Sequence, residues 1–259
     1  MMAGPMLIVS TFLSASMMYY VYGYNEEGTD GKFTWNAALL YGSIISATDP
    51  VAVVSLLKEL GASRRLATLI EGESLLNDGT AMVVFLLLIE MVKGVEFTFF
   101  EIVLKFVQLS VGGPLLGIAS GFVIKNIIHF IHDNYVLEVN ATIFGAYLIF
   151  YIAEFTPLHV SGILALVAFG LYMSKSGKTS ISANSEHSLH NVWGYIGFLA
   201  ETVIFILSGL IIGERLTQKA HTLNGSHIVN MFLDWPFLHL IRFSIMLLFW
   251  PLTRRIGYG

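Results

Sequence analysis

The sequence contains no cysteine and very little charge. Of its 259 residues only 12% are charged, whereas about 25% is usual for a soluble domain. The absence of cysteine excludes disulfide bonds and cysteine-ligated metal sites. The 14 basic and 18 acidic residues are too few to form an even charged coat or a nucleic-acid-binding surface. Because 55% of the residues are hydrophobic, a disordered chain is excluded as well.

Long apolar stretches predict an all-α polytopic membrane protein. A bilayer core of about 30 Å takes roughly 20 helical residues to cross. We predict about eight transmembrane helices in a single domain, residues 1–259. The predicted spans are approximately residues 5–23, 35–57, 67–92, 99–124, 136–156, 158–174, 192–213 and 228–252.

The loops between these spans differ in basic residues. If all eight spans are real, one set of alternate loops holds eight lysines and arginines and the other holds four. Lysine and arginine accumulate in cytoplasmic loops, so this bias predicts a cytoplasmic N-terminus for this chain.

Several ionisable residues fall inside the predicted spans, where each costs at least about 2.5–3.5 kcal/mol on insertion scales. Each therefore needs an ion-pair or hydrogen-bond partner, a protein-lined cavity or a functional role. The residues nearer the span ends are expected to reach the membrane surface with their long side chains; they are Glu90, Glu101, Lys105, Glu138 and Glu154. Those placed deeper are Asp49, Glu71, Glu73, Asp78, Glu201 and Arg242.

One helical face of the third span carries the densest polar cluster. Glu73 and Asn77 are one turn apart, as are Ser74 and Asp78, so the four side chains share a face. Carboxylate, amide and hydroxyl oxygens are the ligands of hard cations. The alternative is that these groups only bond to neighbouring helices, which leaves two acids unexplained.

The second span is expected to break at Asp49-Pro50. Proline lacks the N–H that a helix needs and disfavours α geometry in the residue before it. Transporters bind ions at such breaks, and Thr48 and Asp49 are both polar; the alternative is a simple kink. Arg242 needs a carboxylate, with Glu73 preferred and Glu201 second, or else it reaches the membrane surface. If Glu73 pairs with Arg242, Asp78 is the group that titrates.

Four sequence runs resemble the sodium/proton exchangers of the monovalent cation/proton antiporter superfamily. They are residues 47–53 (ATDPVAV), 72–80 (GESLLNDGT), 161–163 (SGI) and 200–205 (AETVIF), in family order and spacing. Residues 55–63 (SLLKELGAS) and 69–72 (LIEG) are similar to the branch of plant salt-tolerance and animal sperm-type exchangers.

The resemblance implies roles for particular residues. Asp78 of the Asn77-Asp78 pair would alternate between one monovalent cation (Na⁺, or alternatively Li⁺ or K⁺) and one H⁺. Glu73, Ser74 and the Thr48 backbone would surround the ion, with Asp49 the acid at the helix break. Glu73 and Arg242 would form a stabilising ion pair, and Glu201 is a membrane acid of unsettled role.

The resemblance also implies the protein's context. It implies an inverted-repeat antiporter fold of about thirteen spans, a homodimer and the plasma membrane, with no cofactor and no metal besides the transported cation. This chain would supply roughly spans four to eleven, without the cytoplasmic regulatory domains. A truncated, non-transporting subunit or decoy of an intact exchanger is therefore the alternative. We expect no enzyme activity, although Glu73 and Asp78 could in principle serve an intramembrane hydrolase.

Overall fold

The structure is a computed structural model that describes residues 3–22, 34–47, 50–131, 134–218 and 225–256. Nine α-helices and no strand lie within these residues. The helices are α1 (Ala3–Met17), α2 (Trp35–Ser46), α3 (Val51–Glu59), α4 (Arg64–Val92), α5 (Phe99–Phe130), α6 (Tyr135–Phe155), α7 (Gly162–Tyr172), α8 (Ala183–Gln218) and α9 (Gly225–Ile256). A π-helical turn follows α1 at Met18–Tyr22, and another follows α7 at Met173–Gly177.

Local sequence signals explain where several of these helices begin and end. Thr34, Ser63, Asn134 and Ser161 each precede a helix, and their side-chain oxygens accept from the backbone N–H three residues later. Helix α3 ends at Glu59, and Gly61, just past this end, has a φ of 71°. There the N–H of Ala62 donates to the carbonyl of Leu57, the hydrogen-bond pattern of a glycine-terminated helix.

Five of the helices are long and apolar enough to cross a membrane. Within the described residues they are Arg65–Val92, Phe99–Phe130, Tyr135–Phe155, Ser185–Gln218 and Phe232–Trp250. This confirms the prediction of an all-α polytopic membrane protein. The count of eight is not confirmed, because α1, α2, α3 and α7 have only 15, 12, 9 and 11 residues. The inverted repeat stays a prediction.

The predicted helix break is present in the second span. Helix α2 ends at Ser46 and α3 begins at Val51, with Pro50 immediately before it. Proline fits the start of a helix, where its missing N–H leaves no hydrogen bond unmade. Residues 35–57 therefore form two short helices instead of one span. Thr48 and Asp49, which we expected at the break, lie outside the described residues.

The described residues fall into two compact units, which are treated separately. The first runs up to Ser110 and resumes at Asn230; the second runs from Val111 to Val229. The single domain expected over residues 1–259 stays a prediction. In the first unit α1, α2 and α4 pack against one another, and α3 packs on α4. Helices α1 and α2 approach closely, because a Cβ at Gly42 would lie 2.4 Å from the carbonyl oxygen of Thr11.

The second unit has an apolar core and a tight crossing of two helices. Ile124, Ile128, Ile149 and Phe169 are buried together in that core. Small residues at four-residue spacing let helix backbones touch in a membrane. Gly117 on α5 allows such a contact, because a Cβ there would lie 2.1 Å from the carbonyl oxygen of Ala165 on α7.

Candidate cation site

The polar face predicted on the third span lies on one uninterrupted helix. Residues 71–80 are all helical within α4. Glu73 and Asn77 therefore follow each other by one turn, as do Ser74 and Asp78. Ser74 and Asn77 are partly buried, whereas Glu73 and Asp78 are exposed. The helix holds the four oxygen-bearing side chains in a fixed order along one face.

A cavity of about 420 Å³ in the first unit collects part of this face. Helix α4 contributes Glu73, Ser74 and Asn77. Pro50, at the helix break, lines the cavity too, together with apolar side chains of α1, α4 and α9. The remaining polar lining residues are Ser10, Ser46 and Arg242. The cavity thus joins part of the polar face of α4 to Pro50 at the helix break.

Two of the predicted site residues, Asp78 and Glu201, do not line this cavity. Asp78 follows Asn77 on α4 but is not one of the lining residues. Glu201 lies on α8, in the second unit, where it is exposed. Thr48 and Asp49 lie outside the described residues. Their roles, and that of Asp78, stay predictions.

Arg242 has a different contact from the one expected. Its Nη2 donates to the carbonyl oxygen of Ser46 at 3.3 Å. Ser46 is the last residue of α2, and the last carbonyls of a helix lack intrahelical donors and carry a partial negative charge. The guanidinium therefore caps the first half of the broken helix.

The expected ion pair between Glu73 and Arg242 is not formed in this structure. The two side chains line the same cavity, but the ion pairs formed by the described residues are Lys58–Glu71, at 2.7 Å, and Lys105–Glu90. Because the Ser46 carbonyl accepts from the guanidinium, Arg242 is partnered without a carboxylate. Glu71, another acid of the predicted span, is half-exposed and pairs with Lys58.

Three polar residues around the cavity and its helices were not predicted from the sequence. Ser10 and Ser46 both line it and are buried, and the Ser46 hydroxyl donates to Oγ of Ser10 at 3.1 Å. Asp234 accepts a hydrogen bond from the hydroxyl of Tyr41 at 3.0 Å, which connects α9 to α2. Asp234 could have been identified from the sequence, because it is an acidic residue inside an apolar stretch. The serines give no such signal, because small hydroxyls are common in membrane helices.

Two of the residues expected at the membrane surface make internal contacts instead. Glu138 is only 1% exposed, and its Oε2 accepts from the backbone N–H of Ser182 at 3.0 Å and from its hydroxyl at 3.3 Å. The expectation for Glu138 was therefore wrong. Glu154 accepts from the N–H of Gly162 at 3.0 Å, at the first turn of α7.

Fold and cavity together define a class of protein. An all-α polytopic membrane protein with oxygen-bearing side chains beside an interrupted helix is typical of ion-coupled secondary transporters. The chain belongs to the sodium/hydrogen exchanger family: the family profile described as "Sodium/hydrogen exchanger, transmembrane" matches residues 1–259. The family predicted from the sequence runs is thereby confirmed.

Individual relatives are similar to this chain over most or all of its length. "Sodium/hydrogen exchanger 8" of Arabidopsis thaliana is 36% identical over the whole chain, which spans 33% of that protein. "Sodium/hydrogen exchanger 7" of the same plant is 35% identical over the whole chain, which spans 22% of it. The "Na(+)/H(+) antiporter NhaP" of Pseudomonas aeruginosa is 33% identical over 79% of the chain, with 47% of that protein covered. The chain thus spans less than half the length of these three relatives.

Proposed function

We propose that this chain carries the ion-exchange site of a secondary antiporter that exchanges Na⁺ for H⁺ across a membrane. The observation that carries the proposal is the cavity that brings Glu73, Ser74 and Asn77 to the break between α2 and α3. Hydroxyl, amide and carboxylate oxygens can replace the water shell of a small hard cation. The relatives named above are sodium/hydrogen exchangers and antiporters, which supports the same activity for this chain.

The charges around the cavity support Asp78 as the group that carries the exchanged ion. Among the described residues that line the cavity, Glu73 is the carboxylate and Arg242 the guanidinium, and these two charges cancel. Binding one further positive charge then requires a second carboxylate. Asp78 follows the cavity-lining Asn77 on α4. One carboxylate can hold a proton or a sodium ion but not both at once, which gives one-for-one exchange.

The orientation, location and oligomeric state of the protein are proposed on separate grounds. The excess of basic residues in one set of loops supports a cytoplasmic N-terminus for this chain. The family resemblance supports the plasma membrane and a homodimer as the working form. Under this proposal Thr48 and Asp49 complete the ion site at the helix break, and the transported ions are the only ligands that exchange requires.

A transport assay in exchanger-deficient cells tests the proposal. Cells expressing the 259-residue chain are acid-loaded, and recovery of internal pH is followed after Na⁺ is added. We expect Na⁺-driven recovery that Asp78→Asn abolishes. Glu71→Gln is the matched control, because Glu71 is an acid of the same helix that lies outside the cavity and pairs with Lys58. Recovery that survives Asp78→Asn overturns the role of Asp78.

The same cells separate exchange from the alternative of a non-transporting subunit. If the chain gives no recovery alone and suppresses recovery by a co-expressed intact exchanger, it acts as a decoy and the proposal fails for this chain. Competition between Na⁺ and H⁺ for one carboxylate also predicts a bell-shaped dependence of exchange on pH. A rate that rises steadily with pH contradicts that competition.

A further inference from the structure

The second unit contains a cavity that the proposed ion exchange does not use. Its volume is about 440 Å³, within the range of about 300–1,000 Å³ that is typical of ligand sites. Helix α6 contributes Thr142 and Ala146, α7 contributes Leu166 and Phe169, and α8 contributes Trp193. The indole N–H of Trp193 donates to the hydroxyl of Thr142 at 3.1 Å, which joins two of these walls. Because most of these wall residues have apolar side chains, the interior of the cavity is mainly apolar.

One edge of the cavity is lined by polar and charged side chains. Ser174, Lys178, Glu186 and His190 line it there, and all four are exposed. They lie on the π-helical turn Met173–Gly177, on the connection that follows it, and at the start of α8. An apolar interior with a charged edge matches a ligand that has an apolar part and a charged part.

The edge lies where three helix ends meet, and the ends of helices that cross a bilayer are expected near the membrane surface. Helix α6 begins there, α7 ends there and α8 begins there. The hydrogen bond from Ser182, just before α8, to Glu138, in the first turn of α6, holds two of these ends together. A cavity that opens at the boundary between hydrocarbon and water is accessible to the lipids of the surrounding leaflet.

The charges at the edge favour one kind of lipid headgroup. Lys178 and Glu186 have opposite charges, yet neither belongs to the ion pairs formed by the described residues, which are Lys58–Glu71 and Lys105–Glu90. A headgroup with a phosphate and a primary amine can satisfy both, the phosphate on Lys178 and His190 and the ammonium on Glu186. We propose that this cavity binds a zwitterionic aminophospholipid, with an acyl chain in the apolar interior.

The chain offers a substitution that fills the cavity without disturbing its walls. Gly170 lines the cavity, and a Cβ built on it meets no atom within 4 Å. Gly170→Phe should therefore occupy the interior. Gly209→Phe is the matched control, because Gly209 lies on α8, also has no atom within 4 Å of a built Cβ, and does not line the cavity. Thermal unfolding of both variants in detergent shows whether they remain folded.

The test measures which lipids the purified chain retains. The protein is delipidated in detergent, incubated with phosphatidylethanolamine, phosphatidylcholine or phosphatidylglycerol, and analysed by native mass spectrometry. We expect preferential retention of phosphatidylethanolamine, reduced at least about tenfold by Gly170→Phe and unchanged by Gly209→Phe. Equal retention of the three lipids, or a Gly170→Phe variant that binds normally, overturns the proposal.

Two charge variants and one soluble probe separate the parts of the ligand. Lys178→Gln should weaken retention of all three phosphate-bearing lipids, whereas Glu186→Gln should remove only the preference for phosphatidylethanolamine. Phosphoethanolamine, the headgroup without its chains, should not displace the lipid at equal concentration. If it binds as well as the lipid does, the ligand is a free phosphate compound and the lipid assignment is wrong.

Discussion

Nη2 of Arg242 lies 3.3 Å from the carbonyl oxygen of Ser46 and donates to it, so the guanidinium of α9 closes the end of α2. This contact crosses 196 residues of sequence. It puts a positive charge at the point where the second span breaks, in the cavity that Glu73, Ser74 and Asn77 of α4 also line. A cation at a helix C-terminus is stabilised by the helix dipole. The broken helix is therefore held by a residue of a distant helix.

Replacing Arg242 should destabilise the first unit. Arg242→Gln shortens the side chain and removes the donor from the carbonyl of Ser46, a residue only 4% exposed. A buried acceptor without a partner costs about 1–3 kcal/mol. We expect a lower midpoint of thermal unfolding in detergent, partly restored in Arg242→Lys. Arg215→Gln, at the exposed end of α8, is the control and should leave the midpoint unchanged.

Part of this site could be predicted from sequence and part could not. The four-residue spacing of Glu73, Ser74, Asn77 and Asp78 defines a helix face regardless of the fold. Pro50 likewise breaks a helix for local reasons. The partner of Arg242 depends on how α9 packs on α2, which no local pattern encodes. The free-energy cost of placing a charge inside the membrane indicated that the guanidinium needed a hydrogen-bond partner. A backbone carbonyl can be that partner, just as a carboxylate can.

The same limit explains the error at Glu138. Its position near a span end predicted a side chain at the membrane surface. Ser182, which donates to it twice, is 44 residues away, and the sequence does not show that the start of α8 packs over the start of α6. Burying a carboxylate that accepts hydrogen bonds costs far less free energy than burying one without donors. The position of Glu138 near a span end therefore did not decide whether its side chain is buried.

Glu138→Ala should release the start of α8. Without the carboxylate, the backbone N–H of Ser182 loses its acceptor in a buried position, at a cost of about 1–3 kcal/mol. We expect faster hydrogen exchange at the Ser182 amide and faster proteolysis between α7 and α8. Glu138→Gln keeps an acceptor oxygen and should show a smaller effect. Glu96→Ala, in an exposed loop, should change neither measurement; an equal effect in both alanine variants argues against a specific anchor.

A pair of glycine substitutions tests the close approach of α5 to α7. Gly117→Ala places a Cβ 2.1 Å from the carbonyl oxygen of Ala165, and such overpacking costs about 1–3 kcal/mol. Gly209→Ala meets no atom within 4 Å and gains helix propensity of up to about 1 kcal/mol. We expect opposite shifts in the midpoint of thermal unfolding. Equal shifts would show that helix propensity alone decides both substitutions.

Neutralising Glu73 should weaken cation binding more than it lowers the maximal rate. Under the proposed function, Glu73→Gln removes the negative charge that offsets Arg242 among the described lining residues, so the guanidinium repels Na⁺ more strongly. We expect the Na⁺ concentration for half-maximal exchange to rise about tenfold, equivalent to about 1.4 kcal/mol. Flux is measured over a range of Na⁺ concentrations in vesicles that contain the chain. Glu71→Gln is the control, because it removes an acid of the same helix outside the cavity. A lower maximal rate with an unchanged half-maximal concentration would assign Glu73 to folding or to conformational change instead of to ion binding.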